Sequence, residues 1–191
     1  MSLKQNLQKP VVILPYPCVF EAPLEINAYT DGSWIHPKMF QFALGGAGVW
    51  WPLRDIKKHP LSMAERDLAR HSIPNGGVRI YTAIGGYSGS STRTELAAGI
   101  LAICSHGPVH LASDSQVFVN KANWIVQEIN QERFHKLIFS TMSDGDLWGH
   151  FAKAVKSKGT KAVKFTWVKG HVTDQQVKDG ISTVANQQGN D

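Results

Sequence analysis

The sequence predicts an α/β domain built on a mixed five-stranded sheet, three antiparallel strands followed by parallel ones, with helices on both faces. Three observations carry that reading. Strand-period segments crowd the first half, the period turns helical after Ser91, and short apolar strands then alternate with helical stretches.

Ile26 to Thr30 alternates apolar and polar side chains. Ala43 to Trp51 holds Gly45, Gly46 and Gly48, as in a strand approached closely by other backbone. Val78, Ile80, Thr82 and Ile84 alternate with Arg79, Tyr81 and Ala83. Short connections make these three an antiparallel meander. Residues 53–77 interrupt it as an insertion, with a capping pattern at Ser62-Met63-Ala64-Glu65, a short surface helix from Met63 to His71, and a turn at Asn75-Gly76-Gly77.

Beyond Ser91, an apolar helical stripe runs through Leu96, Ala97, Ile100, Leu101 and Cys104. Val109 to Ala112 is a short strand, Gln116 to Asn130 a helix, and residues 133–142 another helical segment. Asp146 to Lys158 places Leu147, Trp148, Phe151, Ala152 and Val155 on one face, and Gly159 closes it with lysines near its end. Lys161 to Val168 alternates again. The order is β-β-β-α-β-α-α-α-β, and helical crossovers make the later strands parallel to the first. Residues 1–24, broken by Pro10, Pro15, Pro17 and Pro23, form an arm, and 25–191 the domain.

A hydrophobic content of 42% with 18% charged residues excludes a disordered chain. The net charge is +5. Between Lys121 and Lys178 ten Lys and Arg face five Asp and Glu, so the basic excess sits late in the chain and suits a polyanionic partner. Cys18 and Cys104 lack metal-type spacing and read as buried free thiols in a reducing compartment. Neither a membrane-spanning run nor a secretory leader is visible. The expectation is therefore an intracellular protein, cytoplasmic or nuclear, with no membrane partner and monomeric as a domain.

Four words recur to chemistry: Asp31-Gly32-Ser33, Thr94-Glu95-Leu96, Ser113-Asp114-Ser115 and Gly170-His171. Each carboxylate has an ordinary structural duty available. Asp31 could open an Asp-Gly turn, Glu95 could close a capping box begun by Thr92, and Asp114 could cap the helix starting at Gln116. The topology argues against all three holding at once. The strands at 26–31 and 109–114 are expected as parallel neighbours in mid-sheet, with the 94–104 helix over the same end. Three converged carboxylates repel unless cations neutralise them, and hard oxygen ligands suit Mg²⁺ or Mn²⁺.

The stretches INAYTDGSW, STRTELAAGILAI, HLASDSQVFVN, SDGDLWGHF and FTWVKGHV resemble the type 1 ribonuclease H family over residues 26–171, outside the insertion. The resemblance implies an RNase H-like fold and an endonuclease that cleaves the RNA strand of RNA–DNA hybrids with two metal ions, leaving 5′-phosphate and 3′-hydroxyl ends. It implies Asp31, Glu95 and Asp114 as metal ligands, Asp31 lying between both ions, and His171 as a helper in proton transfer or product departure. It also implies substrate contacts from Gly32, Ser33, Ser91, Thr92, Arg93 and Gln116, and a chain that is free-standing or cut from a larger reverse-transcribing polyprotein.

The chain departs from the family pattern twice. The family opens a final helix with a Gly-Asn-Glu-x-Ala-Asp word. Here Gly189-Asn190-Asp191 matches its first three positions, so either the fourth carboxylate and its helix are expected beyond residue 191 or Asp191 substitutes imperfectly for it, and weak binding of one metal with slow cleavage is expected of residues 1–191. Some relatives carry a basic protrusion near 124–138. Here Arg133 and Lys136 stand among Glu128 and Glu132, which predicts a weak grip. The alternatives are a non-catalytic nucleic-acid-binding domain on the same fold, and a DNA-acting integrase or transposase relative, which the Gly-His and Thr-Glu-Leu words disfavour.

Overall fold

Backbone pairing in the computed structural model, which describes residues 14–35, 44–68, 70–72, 77–85 and 90–189, gathers the strands into one mixed sheet. They are β1 (Ala28–Ile35), β2 (Leu44–Trp51), β3 (Arg70–Ser72), β4 (Val78–Gly85), β5 (Val109–Ser113) and β6 (Val163–Trp167), in the order β3-β4-β2-β1-β5-β6. The β1–β2 and β2–β4 pairs are antiparallel, and the β1–β5 and β5–β6 pairs are parallel. The predicted five-strand sheet stands. The inserted segment adds β3 to its edge, antiparallel to β4.

That edge strand corrects the helix expected over Met63 to His71. The helix α1 (Met63–Leu68) ends earlier because the chain leaves it to pair with β4. Its start is as the sequence predicts: Ser62 N–H donates to Glu65 Oε2 at 2.7 Å, and Glu65 N–H to Ser62 Oγ at 3.3 Å. Glu65 is not on the surface, however; it is fully buried and holds the Arg54 guanidinium. Asn75 and Gly76 of the expected turn lie outside the described residues.

The helices α2 (Ser91–Ile103), α3 (Gln116–Asn130) and α4 (Gly145–Lys158) share one apolar core with β1, β2, β4, β5 and β6, centred on Phe118, Trp148, Phe151 and Phe165. Wedged in this layer, α2 is buried on more than a stripe, including Ala98 and Gly99. A Cβ on Gly99 would meet Phe118 Cζ at 2.4 Å, so that ring packs directly on helix backbone. Cys104 is the C-cap of α2 and is buried, whereas Cys18 is half-buried; neither is in a disulfide. The helical segment expected over 133–142 forms instead two 3₁₀ turns, Phe134–Lys136 and Phe139–Thr141, too short of apolar period to make a longer helix.

The sheet's other face carries a smaller cluster of Tyr29, Ala112 and Val168, with Trp50 and Ala185 against it. Ala185 belongs to α6 (Val184–Gly189), which follows α5 (Asp174–Lys178). Neither short helix is legible in the sequence, and α6 puts a helix on the second face. Asn190 and Asp191 lie outside the described residues. Arm residues follow the main body as irregular chain, Cys18 N–H donating to Lys158 O and Ala22 N–H to Lys161 O, both at 2.8 Å. No helix among the described residues is long and apolar enough to cross a membrane.

Candidate active site

The register of β1 and β5 builds the site. Thr30 pairs with Ser113 in the parallel ladder, so Asp31 and Asp114 leave the paired region side by side. Beyond that point β1 continues: Asp31 pairs with Gly48 and Gly32 with Ala47. The Asp-Gly word is thus strand interior, not a turn, because pairing with β2 overrides the local turn preference.

The other two carboxylates are equally free of their ordinary duties. The N-cap of α2 is Ser90, whose Oγ accepts from Arg93 N–H at 3.0 Å, so Glu95 belongs to no capping box with Thr92. The N-cap of α3 is Ser115, whose Oγ accepts from Phe118 N–H at 3.3 Å, so Asp114 caps nothing.

Glu95 is buried and held at both oxygens. Gly32 N–H donates to Oε1 at 2.7 Å, and Ser113 Oγ donates to Oε2 at 3.2 Å. Gly32 is needed for this contact, since a Cβ there would stand 2.5 Å from Glu95 N. Burial, followed by the charge of Asp114, pushes the Glu95 carboxyl up to about 8 despite those two donors, and Asp31 adds to the rise. Asp114 is raised as well, by burial and then by Asp31, while His171 opposes the rise. One negative field therefore covers all three.

The loop after β6 closes on Asp114. Val168 N–H donates to Ser113 O at 3.0 Å, and Trp167 Nε1 donates to Asp114 O at 2.9 Å. A Cβ on Gly170 would lie 2.1 Å from Asp114 Oδ2, so only glycine lets the backbone touch this carboxylate. His171 follows with a φ of 49°, exposed and within the field of Asp114. The sequence marks Gly170 and Ser113 only through their places in the Gly-His and Ser-Asp-Ser words; their contacts needed the fold.

Of the residues expected to touch substrate, Ser33 is exposed on β1. Ser91 and Thr92 form the first turn of α2, and Gln116 that of α3, its Nε2 donating to Asn120 Oδ1 at 2.7 Å. Arg93 differs from the expectation of a free contact. Its Nη1 and Nη2 donate to Asp146 at 2.9 and 2.7 Å, and Nη1 also to Asp144 at 3.2 Å. The pairing holds Asp146 down to about 2. Arg133 is similarly committed to Glu128, leaving the 124–138 segment little unpaired positive charge.

The donor set is chemically suited to a hard divalent ion: three carboxylates, mutually repelling, at the open end of parallel strands. As posed, no three acidic, histidine or cysteine side chains among the described residues stand close enough to share one ion.

A mixed sheet with carboxylates where the pairing of its central parallel strands stops, and a helix-borne glutamate hydrogen-bonded to both strands, defines an RNase H-like α/β domain. The sequence model of the RNase H family matches residues 23–188, and the chain belongs to that family. Among solved structures, a type 1 RNase H with the type 2 active-site motif, LC9-RNase H1, is 20% identical over 94% of this chain and 76% of its own, with a TM-score of 0.47. The RNase H domain of PFV is 18% identical over 85% of this chain and 92% of its own, TM-score 0.48. The protease–reverse transcriptase of prototype foamy virus is 17% identical over 90% of this chain and 22% of its own, TM-score 0.49. No curated protein matches the chain.

Proposed function

We propose that the chain is an endonuclease hydrolysing the RNA strand of RNA–DNA hybrids, leaving 5′-phosphate and 3′-hydroxyl ends, with two divalent ions, Mg²⁺ or Mn²⁺, held by Asp31, Glu95 and Asp114. The observation that carries the reading is the β1–β5 register, which brings Asp31 beside Asp114, with Glu95 fixed between them by Gly32 and Ser113. When bound, such ions lower the pKa of a coordinated water and stabilise charge on a departing oxygen.

The chain's own groups do the rest. Glu95 enters the site in one orientation because both of its oxygens are already hydrogen-bonded, so little side-chain freedom remains to be lost. Its raised affinity for a proton comes first from burial and then from the charges of Asp114 and Asp31, and a bound cation would relieve the charge repulsion. His171, exposed beside Asp114, can carry a proton at its imidazole to or from the reacting phosphate. Gly32, Ser33, Ser91, Thr92 and Gln116 border the carboxylates and would meet backbone and 2′-hydroxyl groups, giving recognition by shape with little base preference. Arg93 would reach a phosphate only by exchanging an aspartate partner for it. Both a free-standing enzyme and a domain of a larger polyprotein fit this reading.

A gel assay with end-labelled RNA–DNA hybrid, double-stranded RNA and double-stranded DNA tests it. The expected result is Mg²⁺-dependent cleavage of the hybrid's RNA strand alone, abolished in Asp31→Asn. Binding without cleavage would favour a non-catalytic nucleic-acid-binding domain, and cleavage of duplex DNA an integrase-like activity.

A further inference from the structure

The segment that carries His171 is anchored on both sides of that residue. Before it, Val168 N–H donates to Ser113 O at 3.0 Å and Gly170 packs on the Asp114 carboxylate. After it comes Val172, 4% exposed and the one buried residue of 169–175. His171, Thr173, Asp174 and Gln175 around it are all exposed. A single apolar side chain turned inward between solvent-facing polar neighbours fastens the backbone at its own position.

The anchoring continues beyond Val172. Thr173 and Gln176 close a capping box at the start of α5: Thr173 N–H donates to Gln176 Oε1 at 3.3 Å, and Gln176 N–H to Thr173 Oγ1 at 3.4 Å. Gln187 Nε2 donates to Asp174 Oδ1 at 2.9 Å, and Ala185 of α6 packs on the Tyr29 cluster of the sheet. The chain thus leaves the sheet beside Ser113 and returns to it through α6, with His171 in the first bend.

His171 itself is left-handed, with a φ of 49°. That conformation carries a steric penalty for any residue with a Cβ, and it persists only where flanking structure imposes it. The flanking structure here is Gly170, which has no room for a Cβ against Asp114, and Val172, which buries its side chain.

We propose that Val172 is a positioning residue for His171. Its buried side chain, with Gly170 seated on Asp114, holds the His171 backbone left-handed and so presents the imidazole at the carboxylate site without a search through loop conformations. Being buried, Val172 acts only through His171, and the proposal rests on the proton-carrying role read for that histidine.

Hybrid-cleavage kinetics on the full chain, joined to ¹⁵N relaxation and thermal melting, test it. The His171 amide of the wild type should be as ordered as those of β6. Val172→Ala should loosen that amide and lower kcat about tenfold with KM for the hybrid unchanged, and Val172→Ile, which refills the space, should restore both. His171→Ala should lower kcat at least as far, and the double variant no further. The strain gives a readout apart from activity: His171→Gly should melt about 2–4 °C above His171→Ala, because glycine takes this conformation freely. If His171→Ala cleaves as fast as the wild type, the proton role fails and the proposal falls with it. If His171→Ala is slow but Val172→Ala keeps its kcat, or leaves the His171 amide ordered, the positioning alone is overturned. Equal melting of the Gly and Ala variants would overturn the imposed conformation on which it stands.

Discussion

Gly170 shows how one residue without a side chain supports the site. Its backbone touches the Asp114 carboxylate, and a methyl group there would sit 2.1 Å from Oδ2. Gly170→Ala must therefore displace Asp114. Divalent-ion affinity is expected to fall by about 10–100-fold while the thermal midpoint without metal stays close to wild type, as calorimetric titration and melting would show. Lys158 is a second instructive residue. The sequence places it at the end of α4, where a cation suits the helix dipole, yet its ammonium turns inward and caps α2. Burial lowers its pKa from 10.5 to about 8. Below pH 8 both folded and unfolded chains carry the proton, and the contribution is constant. Between 8 and 10.5 the unfolded chain binds more protons, so stability rises with pH. The stability of wild type relative to Lys158→Met should therefore increase by about 2 kcal/mol from pH 7.5 to 9.5 in urea unfolding. A pH-independent difference would contradict the buried, charged assignment.

At the scale of elements, the junction of α2 with α4 decides how the helix bearing Glu95 is held. Arg93 spans it with two aspartates of unlike burial: the Asp144 side chain is 10% exposed and that of Asp146 63%. Double-mutant cycles should give a coupling of Arg93 to Asp146 below about 1 kcal/mol, despite its better geometry, and a larger coupling to Asp144. Equal couplings would show that solvent does not distinguish the pairs. The same scale explains what the sequence disclosed. Elements with a sustained apolar period, such as α3 over Gln116–Asn130 and the β1-β2-β4 meander, were legible from pattern alone. Elements made by pairing or docking were not. The short strand β3 exists because it meets β4, and α5 and α6 are too brief and too polar to show a period.

For the whole molecule, the three carboxylates were found by the order of their words and by topology, while their freedom from ordinary duties emerged only in three dimensions. Local chemistry offered a turn at Asp31, a capping box at Glu95 and an N-cap at Asp114. Pairing with β2 and the choice of Ser90 and Ser115 as caps removed all three. What is left is a set of acids that destabilise one another, and among the described residues none of the three forms an ion pair with a Lys or Arg. The central claim is that they form one site for divalent ions, and Mn²⁺ titration of the full chain by calorimetry, repeated with Asp31→Asn, tests it most directly. Saturable binding to the wild type that weakens by at least tenfold in the variant is predicted. No binding, or equal binding to both chains, would contradict the account.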